Sequence, residues 1–550
     1  MRLCKSKTKS ETGYDYVVNS LDILTPYGQK RVKAIEAFGP GDEEGLREVL
    51  NCLEQTITSM KEEPQLFEKI QEILRQIKDN SLTIERSSND VLTIVELYEI
   101  KIFLMQTEKI SQHLKLAKSA KIPVPEAFLP IELGSLLDIL DPDLERINTF
   151  YIYDSFSEKL AALRRKKRQL DLDIRKINKM QKHALEAKYR ITMTPKFEYM
   201  VSKADKNLIK EANSIPELII SDEDYMTAIY TLRGDEKTDQ LRMRLEEVNK
   251  DIEDEEFAIR ERLSSEIGRH KNQLVQNCDI IGELDFNLAK AKFSIRSNCV
   301  KPVIVKDHII RISNGRQLIL EDILKKSGRD YCPVSIELYD GVACITGANM
   351  GGKTITLKMV GQCVLLAQHG FFVSCDEAEI GLSGYVHILV GDSQNLQRGL
   401  SSFGSEMEEL KDILDRSKDR ALLLIDEIAG GTNPVEGQAL TKAIVSYLSI
   451  KPYISLITTH FDNVAVGENI RQMQVRGLKG ANFENLTREI KYANKQERIE
   501  IIGKYMDYRI YEVSGEDRIP KDALNIAKML GLNRDIIESA KKNMEDRYEE

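Results

Sequence analysis

Residues 342–354 read VACITGANMGGKT, and the fold turns on them. VACIT (342–346) is a short apolar strand. Gly347, Ala348, Asn349, Met350, Gly351 and Gly352 then form a turn that ends in Lys353-Thr354. TLKMVGQCVLLAQ (356–368) continues as an amphipathic helix. This is the GxxxxGK[ST] spacing in its strand–loop–helix setting. Glycines allow successive backbone N–H groups to curl around phosphate oxygens without Cβ clashes, and the helix N-terminus adds its dipole. Lys353 then supplies a point charge to the β- and γ-phosphates of a nucleotide, and Thr354 a hydroxyl to Mg²⁺.

Downstream, ALLLIDE (421–427) is an apolar strand ending in two acids, at the strand end where ligands bind in open parallel sheets. Asp426 is the candidate Mg²⁺ residue, through its water shell, and Glu427 the candidate that polarises an attacking water. ITTH (457–460) is a further strand with a polar tip, which makes His460 a candidate γ-phosphate sensor. GLSSFGSEM (399–407) opens a helix with a serine pair. Ser402 is either a plain N-cap or, with Ser401, part of a helix N-terminus that reaches the γ-phosphate held by a second subunit.

The rest of the 550-residue chain divides by texture near residue 295. Before it helical periodicity dominates; after it short Val/Ile/Leu runs alternate with helices and glycine turns, the pattern of an α/β domain. Residues 155–192 read as one long helix, with Leu163, Leu170, Ile174 and Ile177 along one face. Residues 236–292 read as a second, with Leu241, Leu245, Val248 and Ile252. Between them 193–235, with Pro195, Pro216, Gly234 and a β-like TAIYTL (227–232), forms a small tip. The expected division is a helical core (1–154), lever helices (155–295, tip 193–235), a P-loop ATPase domain (296–515) and a C-terminal helix-turn-helix (516–550).

Net charge is −9, so the whole-chain balance gives no support to a diffuse basic nucleic-acid binder. The arm hides a strong asymmetry. From Lys159 to Arg190 twelve Lys/Arg face three Asp/Glu, whereas Arg233 to Arg269 holds eight against twelve. Arg164, Arg165, Lys166, Lys167 and Arg168 are therefore either contacts to a phosphate backbone or the basic half of a charge-paired helix seam, and both can hold for different residues. Eight scattered cysteines without a CxxC pair read as reduced thiols. The first sixteen residues lack an apolar signal core, and no apolar run approaches membrane-spanning length, so a cytoplasmic protein is expected.

TGANMGGKT (346–354), SSFGSEM (401–407), LLIDEIAGGTNPVEGQAL (423–440) and TTHF (458–461) together resemble the ATPase domain of the MutS family, over about residues 300–535. GKTITLK (352–358) and GTNPVEG (431–437) look closer to the second bacterial MutS branch than to the mismatch-sensing one. LDILTPYGQKRVK (21–33) resembles the opening of the family's helical core, and residues 508–542 its closing strand and helix-turn-helix. The resemblance implies an all-α core with antiparallel levers, an ABC-type P-loop domain, and an ATP- and Mg²⁺-dependent homodimeric clamp around DNA. In it Gly347–Thr354 hold the nucleotide, with Asn349 near the phosphates. Ser401 acts across the dimer, Asp426 and Glu427 serve metal and water, and His460 is the switch.

Departures from the family bear on the substrate. No room precedes residue 21 for a mismatch-reading domain, and Phe156-Ser157-Glu158 matches its Phe-x-Glu wedge by letter alone. A connector domain and a nuclease-like tail are also missing from the pattern. The expected client is thus branched or distorted DNA, bound through backbone and shape at lever tips and basic arm. The alternatives are a protein client, in the manner of an aminomutase reactivation factor, or the ribosome.

Overall fold

The computed structural model describes residues 3–347, 352–391, 402–417, 419–461, 463–478, 483–491, 495–513, 522–529 and 531–549. Two compact units emerge: residues 76–112 with 130–280, and residues 1–75 with 113–129 and 281–550. The expected core of 1–154 is thus shared between them. Residues up to 75 fold with the α/β region because their side chains and backbone are used there: Gln362 donates to the Gly13 carbonyl (3.3 Å), Gln368 to that of Phe38 (2.8 Å), and Arg47 to that of Ile304 (2.7 Å).

In the first of these units the arm is two antiparallel helices. The outgoing one, Glu158–Tyr189, starts where the Ser157 hydroxyl accepts the Leu160 N–H and ends at Arg190, whose φ is 57°. At 1.5 Å per residue it runs roughly 48 Å. The return helix is Glu236–Arg269, opened by an Asp235 side-chain cap. Leu170 buries against this seam from one side, and Val248 and Ile252 from the other. The single helix expected over 236–292 is interrupted at His270, and a separate helix spans Lys271–Arg296. Gly268 lies so near the Ser87–Ser88 backbone that a Cβ there would sit 3.0 Å from the Ser87 carbonyl, and the His270 ring bonds the Glu266 carbonyl at 3.0 Å. Apolar residues continue on both sides of this break, so periodicity carried straight through it. The tip is a three-stranded antiparallel sheet of β1 (Glu198–Ser202), β2 (Leu218–Glu223) and β3 (Thr227–Leu232), in the order β1-β3-β2, with helix Lys206–Ser214 and a core of its own.

The other unit carries two sheets. A small one orders β4 (Val303–Val305), β8 (Glu377–Gly381), β5 (Ile309–Gly315) and β6 (Val334–Tyr339). The central sheet orders β13 (Asp507–Glu512), β12 (Ile470–Gly477), β7 (Gly341–Thr346), β11 (Tyr453–Thr458), β10 (Ala421–Ile425) and β9 (Tyr385–Leu389). All its pairings are parallel except β12–β13. Successive residues of the inner strands enter different cores: Ala343, Ile345, Leu422 and Leu424 join one, while Val342, Cys344, Leu423 and Ile425 join the other. Both faces are therefore covered, which is why these strands read as unbroken apolar runs rather than alternation. Helix Lys353–Gln368 leaves β7 and is buried almost throughout. At its Gly361 a Cβ would stand 2.5 Å from Thr12 and 2.8 Å from Leu424, so only glycine admits this approach. Helices Asp522–Met529 and Arg534–Glu549 close the chain. No helix among the described residues is long and apolar enough to cross a membrane.

Candidate nucleotide site

Strands β7, β11 and β10 are neighbours, so the segments leaving their C-terminal ends meet at one edge of the sheet. Gly347, after β7, has φ 133°, and Gly352 (φ 75°) caps the helix that Lys353 opens. Ala348, Asn349, Met350 and Gly351 lie outside the described residues, as does Ser401; of Ser402, only its place as the first residue of helix Ser402–Arg416 is described.

Lys353 is 4% exposed, and its Nζ donates to the Gly347 carbonyl at 2.8 Å. It lies 3.2 Å from His460 Nδ1 and 3.8 Å from Glu427 Oε1. Burial lowers its pKa, while Glu427 and Asp426 act in the opposite sense. His460 Nε2 meets the same Glu427 oxygen at 2.6 Å. Lys353, His460 and Glu427 thus form one cluster from three segments. Beside it, Thr354 Oγ1 donates to Asp426 Oδ2 at 2.7 Å. The sequence-level candidates Lys353, Thr354, Asp426, Glu427 and His460 are therefore brought together.

Two further groups organise the acids. The Thr458 hydroxyl donates to Asp426 Oδ1 (2.5 Å) and accepts the Glu427 N–H (3.1 Å). Glu427 itself sits at φ 48° and Ala429 at φ 59°, left-handed conformations that side chains of this kind rarely adopt. Glu406, in helix Ser402–Arg416, accepts the Ala429 N–H; burial raises its pKa, and its other oxygen is buried without a partner among the described residues. Sequence reading gave Thr458 no role, because a threonine on a strand is ordinary until its hydroxyl is seen between the Asp426 carboxylate and the Glu427 N–H.

A cavity of about 770 Å³ opens from this cluster, lined by Gly352, Lys353, Thr354 and Glu427 at one end and by Leu320, Tyr331 and Tyr508 elsewhere. Burial pushes the Tyr331 phenol up to about 12, and raises that of Tyr508. Both rings therefore stay neutral walls. Cationic, hydroxyl and carboxylate groups beside apolar and aromatic walls, with Arg329, Asp330 and Lys504 also on the lining, suit a ligand with a phosphate chain and a flat base.

The five arm residues behave differently from one another. Arg164 is engaged: it reaches Asp154 (2.6 Å), Glu256 (2.7 Å) and the Ile152 carbonyl (2.8 Å), and Lys159 pairs with Glu255 at 2.8 Å. Arg164 therefore fastens the base of the seam instead of offering charge outward. Arg165, Lys166 and Arg168 are exposed and Lys167 half-buried, and no ion pair engages these four among the described residues.

The parallel sheet, the glycine-rich GxxxxGK[ST] sequence ahead of a buried lysine and the acid pair at the end of β10 define a P-loop nucleotide-binding protein. Comparison with known proteins narrows the class. Residues 343–546 of this chain match the model of MutS domain V, a domain of the MutS family. It is similar to the Endonuclease MutS2 of Geobacillus sp., at 33% identity over 289 residues (51% of this chain, 33% of the relative). The proteins of that name from Finegoldia magna and Halalkalibacterium halodurans are 28% identical over 402 and 465 residues, covering 71% and 79% of this chain and 46% and 53% of theirs. The chain thus spans between a third and about half the length of these relatives.

Proposed function

We propose that this chain is an ATPase of the MutS type that couples ATP hydrolysis to a conformational cycle on branched or distorted DNA. The convergence of Lys353, Thr354, Asp426, Glu427 and His460 at one sheet edge carries the reading. Mg²⁺ fits the site, because a threonine hydroxyl and a carboxylate lie side by side as hard oxygen donors. Bound there by Thr354 and Asp426, it would neutralise charge on the phosphates. Lys353 exchanges its Gly347 carbonyl for phosphate oxygens. Glu427 turns from Lys353 and His460 to accept a hydrogen bond from the attacking water, and His460, freed from Glu427, faces the terminal phosphate.

DNA is assigned to the exposed Arg165, Lys166 and Arg168 with the half-buried Lys167, through contacts to phosphate, which need no base-reading wedge. Two chains are expected to pair so that Ser401 of each completes the other's site, with the C-terminal helices supporting the dimer. Reading 1–154 as core, 155–295 as lever, 296–515 as ATPase domain and 516–550 as dimerisation segment belongs to this proposal.

The deciding measurement is steady-state ATP turnover with no addition, homoduplex, mismatched duplex, junction DNA and ribosomes in parallel. Stimulation by junction DNA that fades with salt is expected; stimulation by ribosomes alone moves the client away from DNA. Glu427→Gln is expected to retain ATP and lose turnover by about a hundredfold or more, and a normal rate in that variant removes Glu427 from the role.

A further inference from the structure

Helix Ser6–Thr12 touches both helices that carry the halves of the proposed composite site. It is seated on helix Lys353–Gln368: Glu11 pairs with Lys358 at 2.8 Å, Gln362 donates to the Gly13 carbonyl at 3.3 Å, and the buried Thr12 occupies the space that a Cβ on Gly361 would need. Towards helix Ser402–Arg416 it presents two lysines. Lys5 pairs with Asp412, and Lys7 with Glu409 at 3.2 Å. These acids stand three residues apart, hence on one flank of their helix. The Leu3 carbonyl accepts the Val386 N–H at 2.8 Å, so the approach to Lys5 is itself anchored on β9, the edge strand of the central sheet.

The serine-led helix has further holds on its own chain. Glu409 divides its oxygens: Oε2 meets Lys7, and Oε1 meets Nε2 of His387, which is 1% exposed on β9, at 3.1 Å. Burial works against the Glu409 charge, yet His387 and Lys7 hold its carboxyl below the usual carboxylate range. Lys5 and Arg416 do the same for Asp412. Both lysines therefore face anions at neutral pH. Glu406, one turn earlier, accepts the Ala429 N–H two residues beyond Glu427. The helix is thus held at positions 406, 409 and 412, and two of those holds run through helix Ser6–Thr12. Part-exposed ion pairs of this kind add little to stability. What they fix is position.

We propose that Lys5 and Lys7 are positioning residues for ATP turnover: through Asp412 and Glu409 they set the helix that follows Ser401, and so aim the donor that this chain offers to the nucleotide of a second chain. This role presupposes that Ser401 acts across the dimer. Glu11, on the same short helix, keeps the donor helix in register with the P-loop helix of its own chain. A donor misplaced by about 1 Å loses transition-state stabilisation, while the nucleotide stays held by the other chain's P-loop. The two lysines therefore act on the rate at the partner's site and not on their own chain's ATP affinity.

The test uses the full chain with Lys5→Glu and Lys7→Glu together, which turns both attractions into repulsions, and a milder chain with Lys5→Met and Lys7→Met. ATP affinity by equilibrium binding is expected to be unchanged in both. Turnover at saturating ATP is expected to fall by about tenfold in the first, and by less in the second. The charge-reversed chain is then mixed in equal amounts with Lys353→Ala, with mixed dimers demonstrated by differential tagging. If the reversed chain binds ATP weakly, the methionine chain takes its place. In a mixed dimer the site that keeps Lys353 receives its donor from the Lys353→Ala chain, whose Lys5 and Lys7 are intact, so turnover is expected to reach about a quarter of the unmodified rate. A defect in the variant's own site leaves the mixture at about half the variant's own rate instead. That outcome overturns the proposal, as does unchanged turnover in the reversed chain or weakened ATP binding in both chains. Ser401→Ala with Ser402→Ala is carried through the same mixing. Recovery there without recovery of the lysine variant removes Lys5 and Lys7 alone; recovery in neither removes the action of Ser401 across the dimer, and this role with it.

Discussion

Thr458 has one hydroxyl and two acids to serve. Its proton goes to Asp426 and its lone pairs accept the Glu427 N–H, so a single side chain sets both the metal-side carboxylate and the turn that bears the candidate base. Thr458→Val keeps the shape and removes both bonds. Turnover is expected to fall by about tenfold with ATP affinity little changed, because a misplaced carboxylate costs the transition state and not the Lys353–phosphate contact. Thr458→Ser should restore most of the rate, an outcome that a purely packing role would not produce. A second prediction belongs to buried histidine. His369 caps helix Lys353–Gln368, bonds the Leu365 carbonyl at 2.6 Å and packs against Tyr14, and burial depresses its pKa to about 4. The unfolded chain takes up a proton near pH 6.5 that the folded chain refuses, so this contribution is whole above about pH 6.5 and shrinks as pH falls toward about 4, by up to about 3 kcal/mol. His308, lowered by the same cause, adds in the same direction. Denaturant midpoints measured across this range should drop on acidification, and less steeply in His369→Phe. The P-loop, the acid pair and His460 were legible because their chemistry is local in sequence; Thr458 and Glu406 were not, because their partners lie 32 and 23 residues away and only the fold brings them together.

At the scale of elements, the arm helices show how one charge pattern serves two ends. A basic helix beside an acidic one could pair along its whole length or leave its charge outward. The observed division is spatial. Ion pairing between the two helices lies at the base, where Lys159 and Arg164 meet Glu255 and Glu256; Lys188 pairs with Glu217 at the far end, and Arg165, Lys166 and Arg168 remain exposed between. Neighbouring arginines therefore have opposite expected phenotypes. Arg164→Ala strips a half-buried guanidinium from two carboxylates and a carbonyl and should lower thermal stability, by an amount on the order of 1 kcal/mol after solvent screening, with no change in the salt dependence of DNA binding. Replacing Arg165, Lys166 and Arg168 together by alanine should leave stability alone and reduce the slope of log affinity against log salt by up to about three. Fluorescence anisotropy at several salt concentrations separates the two. Charge counts along the helix foretold that both uses were available. Which residue takes which was fixed by the neighbouring helix's register, and no one-dimensional count contains that. The same limit explains the break at His270: Gly268 approaches Ser87 and Ser88, nearly two hundred residues earlier in the chain, and the apolar rhythm of the helix carries no trace of it.

For the whole molecule the central expectation is that a site begun in one chain is finished by another. Within one chain, Lys353, Thr354, Asp426, Glu427 and His460 supply charge, metal-side oxygens and a base, and the aromatic end of the cavity supplies walls. In the proposed dimer a donor on the far side of the terminal phosphate comes from Ser401 of a second chain. If that is so, two kinds of inactive chain should complement each other. Lys353→Ala cannot hold nucleotide but still offers its serine; Ser401→Ala with Ser402→Ala holds nucleotide but offers nothing across. Each alone should be near the background rate. A mixed dimer contains one site with the lysine of one chain and the serine of the other, and one site deprived of both. With random pairing in equal amounts, half the dimers are mixed and each has one working site, so turnover should recover to about a quarter of the unmodified rate if the two sites fire independently. Recovery well below that share means that both sites must be intact for either to fire, and no recovery, with mixed dimers demonstrated by differential tagging, places the serines in their own chain's site. Full activity of the serine variant alone would leave Ser402 as the plain helix cap that its position at the start of Ser402–Arg416 also allows.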